Sequence, residues 1–346
     1  MKAVVLAGGE GTRLRPLTFA LPKQMLPVVG RPMLERVLEH LGAHGVDEVV
    51  LSLQYMPAVF RHAYPANRAA GMALRYATEP EPLDTAGAIR FAAEQIGIAD
   101  TFVVANGDIL TDLDLSGLVS FHRMKRAEAT IHLHPVRDPS RFGVVVCDDE
   151  GAVTKFIEKP TGRPPSNLIN AGTYVLEPTF LDRVRLGERT SIERTTFPQM
   201  ATGGRLYAMA DDAYWIDTGT PSAFLKASLD VLDGVRGDLI SQRSEAPQGG
   251  QVVEPCFFGS GVTLAKGAIA DRSVIGQGCV LARGALVRES VLMDEVTVGE
   301  GAQLTGSVVG SRATIGSGCR LEPGSVIGFG ARLEPDRIVA GERVPA

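Results

Sequence analysis

From residue 264 onward apolar residues return every five or six positions, at Leu264, Ile269, Ile275, Leu281, Val287, Met293, Val298, Leu304, Val309, Ile315, Leu321, Ile327 and Leu333. Four places after each of these but the last stands a small or β-branched residue: Ala268, Ser273, Cys279, Ala285, Val291, Thr297, Ala302, Val308, Ala313, Cys319, Ser325 and Ala331. Glycine often follows the apolar residue, as at Gly276, Gly299, Gly310, Gly316 and Gly328. A repeat of six residues with this pattern builds a parallel β-helix, in which each hexad is one flat side and three sides close a coil. The apolar residues then stack inside, and the two cysteines fall on small inward positions, where packing is their expected task. An end coil cannot bury itself, so the rest of the chain or another subunit must cap it.

The chain before the repeat reads differently. Val-rich strands are expected at Ala3 to Ala7, Glu48 to Leu53, Ala73 to Ala77, Thr101 to Ala105, Ala129 to Pro135, Gly143 to Cys147, Val153 to Ile157 and Thr173 to Leu176. Helical spacing places helices at 31–45, opened by Pro32 and closed by Gly42 and Gly45, and at 86–96. Strands alternating with such helices imply βαβ units and a mostly parallel sheet. The segment 234–250, rich in Gly, Ser, Gln and Arg, is expected to be a linker, helical at most at its ends. The chain thus divides into two domains, 1–240 and 251–346.

Directly after the first strand, Gly8, Gly9 and Gly11 remove three side chains from one loop. Such a loop turns sharply and can aim successive backbone N–H groups at an anion. Thr12 adds a hydroxyl, Arg13 a forked cation and Lys23 a point cation. Glycines and cations at the carboxyl end of a strand suit a polyphosphate. The ATPase loop, Gly-x4-Gly-Lys-Ser/Thr, is absent. The dinucleotide fingerprint also fails, because Leu14 stands where its third glycine is needed.

The run Gly-Gly-x-Gly-Thr-Arg-Leu-x-Pro-Leu-Thr from Gly8, followed by Pro22-Lys23, resembles the sugar-phosphate nucleotidyltransferases, the nucleoside-diphosphate-sugar pyrophosphorylases. The likeness covers nearly the whole chain and is greatest to the mannose-1-phosphate guanylyltransferase-like branch with C-terminal hexapeptide repeats. The resemblance implies a Rossmann-like α/β nucleotidyltransferase domain followed by a left-handed parallel β-helix of about four coils.

It also implies a site. Leu6, Ala7, Gly8, Gly9, Gly11, Thr12 and Arg13 would meet the nucleotide, with Arg13 and Lys23 as catalytic cations on the leaving phosphates. Glu81-Pro82-Leu83-Asp84-Thr85-Ala86-Gly87 matches the motif flanking the base, so Leu83, Thr85 and Gly87 join the nucleotide set; Asp84 replaces the family's usual glycine. Asn106-Gly107-Asp108 and Trp215-x-Asp217-Thr-Gly would supply the two carboxylates for Mg²⁺, Asp108 also being catalytic. Taken singly, those aspartates read as caps or turn residues. Glu158-Lys159-Pro160 would meet the sugar and its phosphate, and would otherwise read as a surface ion pair. Asn170 and Gly172 would contact the sugar. Ser191-Ile192-Glu193 also recurs in the guanylyl-type branch, without a role that the sequence explains.

The implied reaction is nucleotidyl transfer from an NTP to a sugar-1-phosphate, with GTP and mannose-1-phosphate the expected pair. The thymidylyl pattern Gln-x-x-Pro-x-Gly-Leu-Ala is absent, and guanine's N1–H and N2–H₂ suit a carboxylate such as Asp84. Another base, a cyclitol phosphate acceptor, or a non-catalytic regulatory subunit remain as alternatives; the retained cations and aspartates argue against the last. An acetyltransferase site in the repeat is disfavoured, because no histidine lies beyond His134. His132 and His134 alternate along one strand and are expected to be paired or solvated rather than zinc ligands.

Composition sets the remaining limits. A net charge of −5 offers no basic excess for nucleic acid. No apolar run approaches ~18 residues, so no membrane span is expected, and the short N-terminal strand is not expected to be a signal peptide. Four cysteines without a Cys-x-x-Cys pair suit free thiols in the cytoplasm. A homo-oligomer is expected. All candidate site residues lie before residue 220, so the repeat is expected to govern assembly more than chemistry.

Overall fold

In the computed structural model, residues 1–237 and 247–346 are described. The expected linker lies partly, and the expected domain limit at residue 240 wholly, outside the described residues. The chain forms two compact units, Met1–Gly9 with Val37–Trp215, and Glu10–Arg36 with Ile216–Ala346.

The first unit holds a ten-stranded sheet. Its strands are β1 (Lys2–Leu6), β2 (Glu48–Leu53), β3 (Arg68–Ala69), β4 (Met72–Thr78), β5 (Phe102–Asn106), β6 (Ala129–Pro135), β7 (Gly143–Cys147), β8 (Val153–Glu158), β9 (Leu168–Leu176) and β10 (Leu206–Ala210). The order is β8-β7-β9-β5-β1-β2-β4-β3, with β6 pairing β9 and β10. Strands β5, β1, β2 and β4 run parallel, in register Leu6 with Asn106 and with Ser52. Beyond β5 the pairings of β9 with β5, β6 and β7, and of β7 with β8, are antiparallel, while β10 joins β6 in parallel, so the sheet is mixed around a parallel core. The centres of β1, β2 and β5 are apolar, with Val4, Val50, Val103 and Val104 fully buried, as strands covered on both faces require, whereas β4 at the flank alternates buried and exposed residues.

Of the expected strands, Glu48–Leu53, Ala129–Pro135 and Gly143–Cys147 keep their limits, while the last grows to Leu168–Leu176. Helices α1 (Met33–Ala43) and α3 (Asp84–Gln95) stand where helical spacing placed them; α2 (Pro57–Ala63), α4 (Leu115–Lys125), α5 (Phe197–Ala201) and strand β10 went unread. The Asp114 carboxylate caps α4 by accepting from Gly117 N–H.

The second unit carries helix α6 (Pro221–Leu232) and a three-sided parallel β-helix, whose sheets hold six, six and five short strands. That is five coils and most of a sixth, more than the four expected. Coils repeat every 17 residues, as in Ile269↔Leu286↔Gln303. Two of the expected inward apolar residues sit one place off the stack: Ala270 takes the column position beside Ile269, and Leu292 that beside Met293. Likewise Ser290, Val296 and Ser307 take the small inward positions, while Val291 and Val308 are buried outside the interior cluster and Thr297 is exposed. The buried serines form a ladder, in which Ser290 N–H donates to Ser273 Oγ (3.2 Å) and Ser307 N–H to Ser290 Oγ (3.1 Å). Cys279 and Cys319 are fully buried, and their thiols donate to the carbonyls of Met293 and Glu334. Burial pushes the Cys279 thiol up to about 12, so it is an inert packing group.

Glu10–Arg36 belongs to this second unit. Val29 and Gly30 both take positive φ and close a hairpin between Pro27–Val28 and Arg31–Pro32. The buried Arg36 guanidinium donates to the carbonyls of Val28 and Val29, tying the hairpin to the start of α1. A Cβ on Gly30 would stand 2.5 Å from Phe257 Cζ of the first coil. At the other end, Arg343 Nη1 donates to Arg15 O (3.2 Å), and a Cβ on Gly328 would lie 3.3 Å from Pro16 Cβ. The repeat therefore backs the segment carrying Arg13 and Lys23, a role beyond the assembly function expected of it.

Candidate functional site

In the first unit the candidate residues gather at the carboxyl ends of the parallel strands, where open α/β sheets place ligands. A cavity of about 310 Å³ opens there. The end of β1 and its loop form one wall, with Leu6, Gly8 and Gly9; Pro82, Asp84, Thr85 and Ala88 form another; Gln54, Glu79 and Arg189 complete it. Gly8 keeps this wall close-fitting, since a Cβ would stand 3.3 Å from Gln54 Cβ and 3.4 Å from Glu79 Oε1.

Glu79 was not singled out by the sequence. Its Oε1 accepts from Ser52 Oγ (2.9 Å) and its Oε2 from Leu83 N–H (3.0 Å). Burial raises its carboxyl above the ordinary range against those two hydrogen bonds, and the Asp84 charge adds to the rise. Its position at the end of β4 was the available signal. Gln54 follows β2 in the same way, whereas Arg189 lies in a loop that nothing in the sequence marked.

Asp84 occupies the position where the family has glycine, and its φ is +59°. That left-handed conformation accounts for the usual glycine, and aspartate is among the side chains that tolerate it best. Its Oδ1 accepts from Thr85 N–H at 3.0 Å. Ser191-Ile192-Glu193 now has a physical account. Thr85 Oγ1 donates to Glu193 Oε2 (2.7 Å) and accepts from Ile192 N–H (2.8 Å), while Ser191 Oγ donates to the same carboxylate (2.9 Å). Alongside, Ala86 and Gly87 N–H donate to Thr190 O, and Thr190 N–H to Leu83 O. The 190–193 segment thus straps the first turn of α3. Gly87 serves that strap, because a Cβ would stand 2.5 Å from Glu188 O; Leu83 and Ala7 are buried behind the wall.

A second group in this unit surrounds Asn106-Gly107-Asp108. Gly107 N–H donates to Leu6 O, and Asp108 is only 8 % exposed. Strand β9 shifts register between Asn170 and Tyr174, with Gly172 at φ +78°. A Cβ on Gly172 would lie 2.5 Å from both Asn106 Nδ2 and Ile109 Cδ1, which brings Asn106 and Gly172 together. Asn170 Oδ1 accepts from Gly172 N–H, and its Nδ2 donates to Tyr174 Oη. Lys159 Nζ pairs with Glu158 Oε1 at 3.1 Å and stays more than half exposed. His132 pairs with Asp211 (3.0 Å), and His134 stacks on Trp215.

The second unit holds Gly11, Thr12, Arg13, Lys23 and Asp217. Gly11 takes φ +62°, and a Cβ there would press on Thr18 Cγ2 and Lys23 Cβ. Thr12–Leu14 and Lys23–Met25 are single 3₁₀ turns. Arg13 Nη2 lies 3.6 Å from Asp217 Oδ2, and Asp217 Oδ1 accepts from Gly219 N–H (2.8 Å). The residues assigned from sequence to phosphate and to metal therefore pair with each other. Gly219 permits this approach, since a Cβ would stand 2.5 Å from Arg13 Nη2.

Among the described residues no three His, Cys, Asp or Glu side chains form a metal cluster, and no helix is long and apolar enough to cross a membrane.

This strand-end site, glycine loop and β-helix are those of a nucleotidyltransferase, and the chain belongs to the nucleotidyl transferase family, whose model it matches over residues 2–234. Residues 240–339 match the EIF2B subunit epsilon LbH domain, and the β-helix is left-handed. Mannose-1-phosphate guanylyltransferase of Mycobacterium tuberculosis (strain ATCC 25618 / H37Rv) is 40 % identical over 284 residues, 79 % of each chain. Probable mannose-1-phosphate guanylyltransferase 2 of Arabidopsis thaliana is 36 % identical over 79 % of each. HddC from Yersinia pseudotuberculosis, solved in complex with GMP-PN, is 31 % identical with a TM-score of 0.58, covering 66 % of this chain and 99 % of that one.

Proposed function

We propose that this chain transfers the guanylyl group of GTP to mannose-1-phosphate or a near relative, releasing pyrophosphate. The observation that carries the reading is the strand-end cavity, in which an anion-seeking glycine loop meets a half-buried carboxylate, Glu79, suited to the N–H donors of guanine. The mannose-1-phosphate guanylyltransferases at 36–40 % identity support the acceptor.

In this reaction a phosphate oxygen of the sugar-1-phosphate attacks the α-phosphorus; a P–O bond forms there, and the bond to the β-phosphate bridge breaks. The attacking phosphate has a second pKa of about 6 and is largely ionised at neutral pH, so no general base is needed. Positioning and charge stabilisation carry the rate. The backbone of Gly8, Gly9, Gly11 and Thr12, with Arg13 and Lys23, receives the triphosphate. Thr85 and Leu83, held by the 190–193 strap, flank the base. Asn106, Gly107, Glu158, Asn170 and Gly172 face the sugar, and Lys159 its phosphate. Asp108 and Asp217 would supply the carboxylates for Mg²⁺. The donor set fits this ion, which takes one or two carboxylates and completes its shell with phosphates and water. When bound, the ion neutralises charge on the reacting phosphates.

We assign catalysis to 1–240 and the β-helix to 251–346. Ile338 on the end coil, 60 % exposed, supports a homo-oligomer, and four free cysteines support a cytoplasmic setting. The test is a panel of NTPs against several sugar-1-phosphates, read by pyrophosphate release. GTP with mannose-1-phosphate is expected to lead; ATP, dTTP or UTP outperforming GTP with every acceptor would overturn the guanylyl assignment.

A further inference from the structure

The strand-end cavity carries one cation among its lining residues. Arg189 stands at the wall facing a pocket otherwise lined by carboxylates, Glu79 and Asp84, and by uncharged groups. Its main chain is fixed by the next residue: Thr190 N–H donates to Leu83 O at 2.9 Å, and Thr190 O accepts from Ala86 and Gly87 N–H. The arginine is therefore anchored to the first turn of α3, the element that also presents Asp84 and Thr85. No ion pair joins its guanidinium to a carboxylate among the described residues.

A pocket with a carboxylate acceptor and a forked donor has a definite chemical complement. Guanine offers N1–H and N2–H₂ donors on one edge and the acceptors O6 and N7 on another. Adenine places an N–H₂ donor where guanine has O6, so the same fork would meet one acceptor and one donor. Arginine is the side chain whose planar fork fits the O6/N7 pair bidentately, which lysine cannot do. Resting on the guanylyl reading above, we propose that Arg189 is a specificity residue that reads the O6/N7 edge of guanine, while Glu79 accepts from its opposite edge.

The test compares GTP with 7-deaza-GTP, which lacks the N7 acceptor, in the full-length protein and in Arg189→Ala and Arg189→Lys. Both nucleotides are titrated calorimetrically, and kcat/KM is measured in parallel with mannose-1-phosphate. The wild-type chain is expected to bind 7-deaza-GTP roughly tenfold more weakly than GTP, in the range of a good bidentate contact. Arg189→Ala should lose a similar factor for GTP, show no further penalty for 7-deaza-GTP, and narrow the preference over ATP. Arg189→Lys should recover only part of the GTP affinity. Equal wild-type affinity for the two nucleotides, or an unchanged penalty in Arg189→Ala, would overturn the proposal, and so would failure to bind GTP. GTP binding with the 7-deaza penalty, but no transfer to any sugar-1-phosphate, would refute the acceptor reading and leave the arginine assignment standing.

Discussion

Thr85 and Glu193 lie 108 residues apart and share a hydrogen bond of 2.7 Å. Thr85 Oγ1 also accepts from Ile192 N–H, so one hydroxyl joins the nucleotide wall to the 190–193 strap. Thr85→Val keeps the shape and removes both bonds, leaving a buried N–H and a carboxylate short of partners. The expected cost is about 1–3 kcal/mol, seen as a lowered thermal midpoint. A several-fold rise in KM for the NTP should accompany it, with KM for the sugar phosphate little changed. An unchanged midpoint and KM would show that Thr190 alone holds the first turn of α3.

This strap also shows where sequence reading stops. The glycine loop, the parallel core and the repeat were legible because each depends on local rules: turn chemistry, apolar runs and a fixed period. Ser191-Ile192-Glu193 was visible as a motif but not as a mechanism, because its partner Thr85 is remote in the chain. Glu79 and Arg189 were missed for the same reason, since their role comes from the cavity and not from neighbouring residues. The off-column residues Ile269 and Met293 failed differently. In a five-to-six-residue spacing, one apolar neighbour can stand in for another, and only the stacking of coils decides between them.

Glu79 gives the site an expected acid limb. Burial raises its carboxyl above the ordinary range near 4.5. Only the ionised form accepts from both guanine donors, so KM for GTP should rise as pH falls through this raised pKa, at a higher pH than an exposed glutamate would give. The effect on stability has the opposite sign. The folded state holds this proton more tightly than the unfolded chain, so the contribution of Glu79 to stability falls as pH rises through the same window. Glu79→Gln should abolish the acid limb in KM and weaken GTP at neutral pH. If the limb persisted in Glu79→Gln, another group would be responsible for it.

The pairing of Arg13 with Asp217 makes each sensitive to the other. Asp217→Asn removes a metal-type carboxylate and frees the guanidinium beside it, and Asp108→Asn removes the buried carboxylate after β5. Each is expected to lower kcat on the order of 10²-fold, the scale for losing one preorganised charge stabiliser. Both should retain the wild-type far-ultraviolet dichroism. The measurement is a Mg²⁺ titration of turnover in each variant. A rate near wild type across the whole titration would remove that aspartate from the site.

The β-helix is expected to support turnover as well as assembly. Glu10–Arg36 carries Arg13 and Lys23, and it has little regular structure of its own: three single 3₁₀ turns and a two-residue hairpin. Such a segment keeps its shape through what it packs against. Its partners run from the first coil, where Phe257 closes over Gly30, to the last two, where Gly328 meets Pro16 and Arg343 holds Arg15 O. Removing residues 251–346 should therefore loosen the two cations as well as change assembly. A displacement of about 1 Å at a reacting centre can cost on the order of 10²-fold, and turnover by the truncated chain is expected to fall by that order. Arg343→Ala, which deletes one contact and leaves the coils, should cost only a few-fold. Calorimetry on the truncated chain should still detect nucleotide, because the cavity around Glu79 and Arg189 belongs to the other unit. Full turnover by a soluble, monodisperse truncated chain would mean that Glu10–Arg36 holds its conformation without the coils.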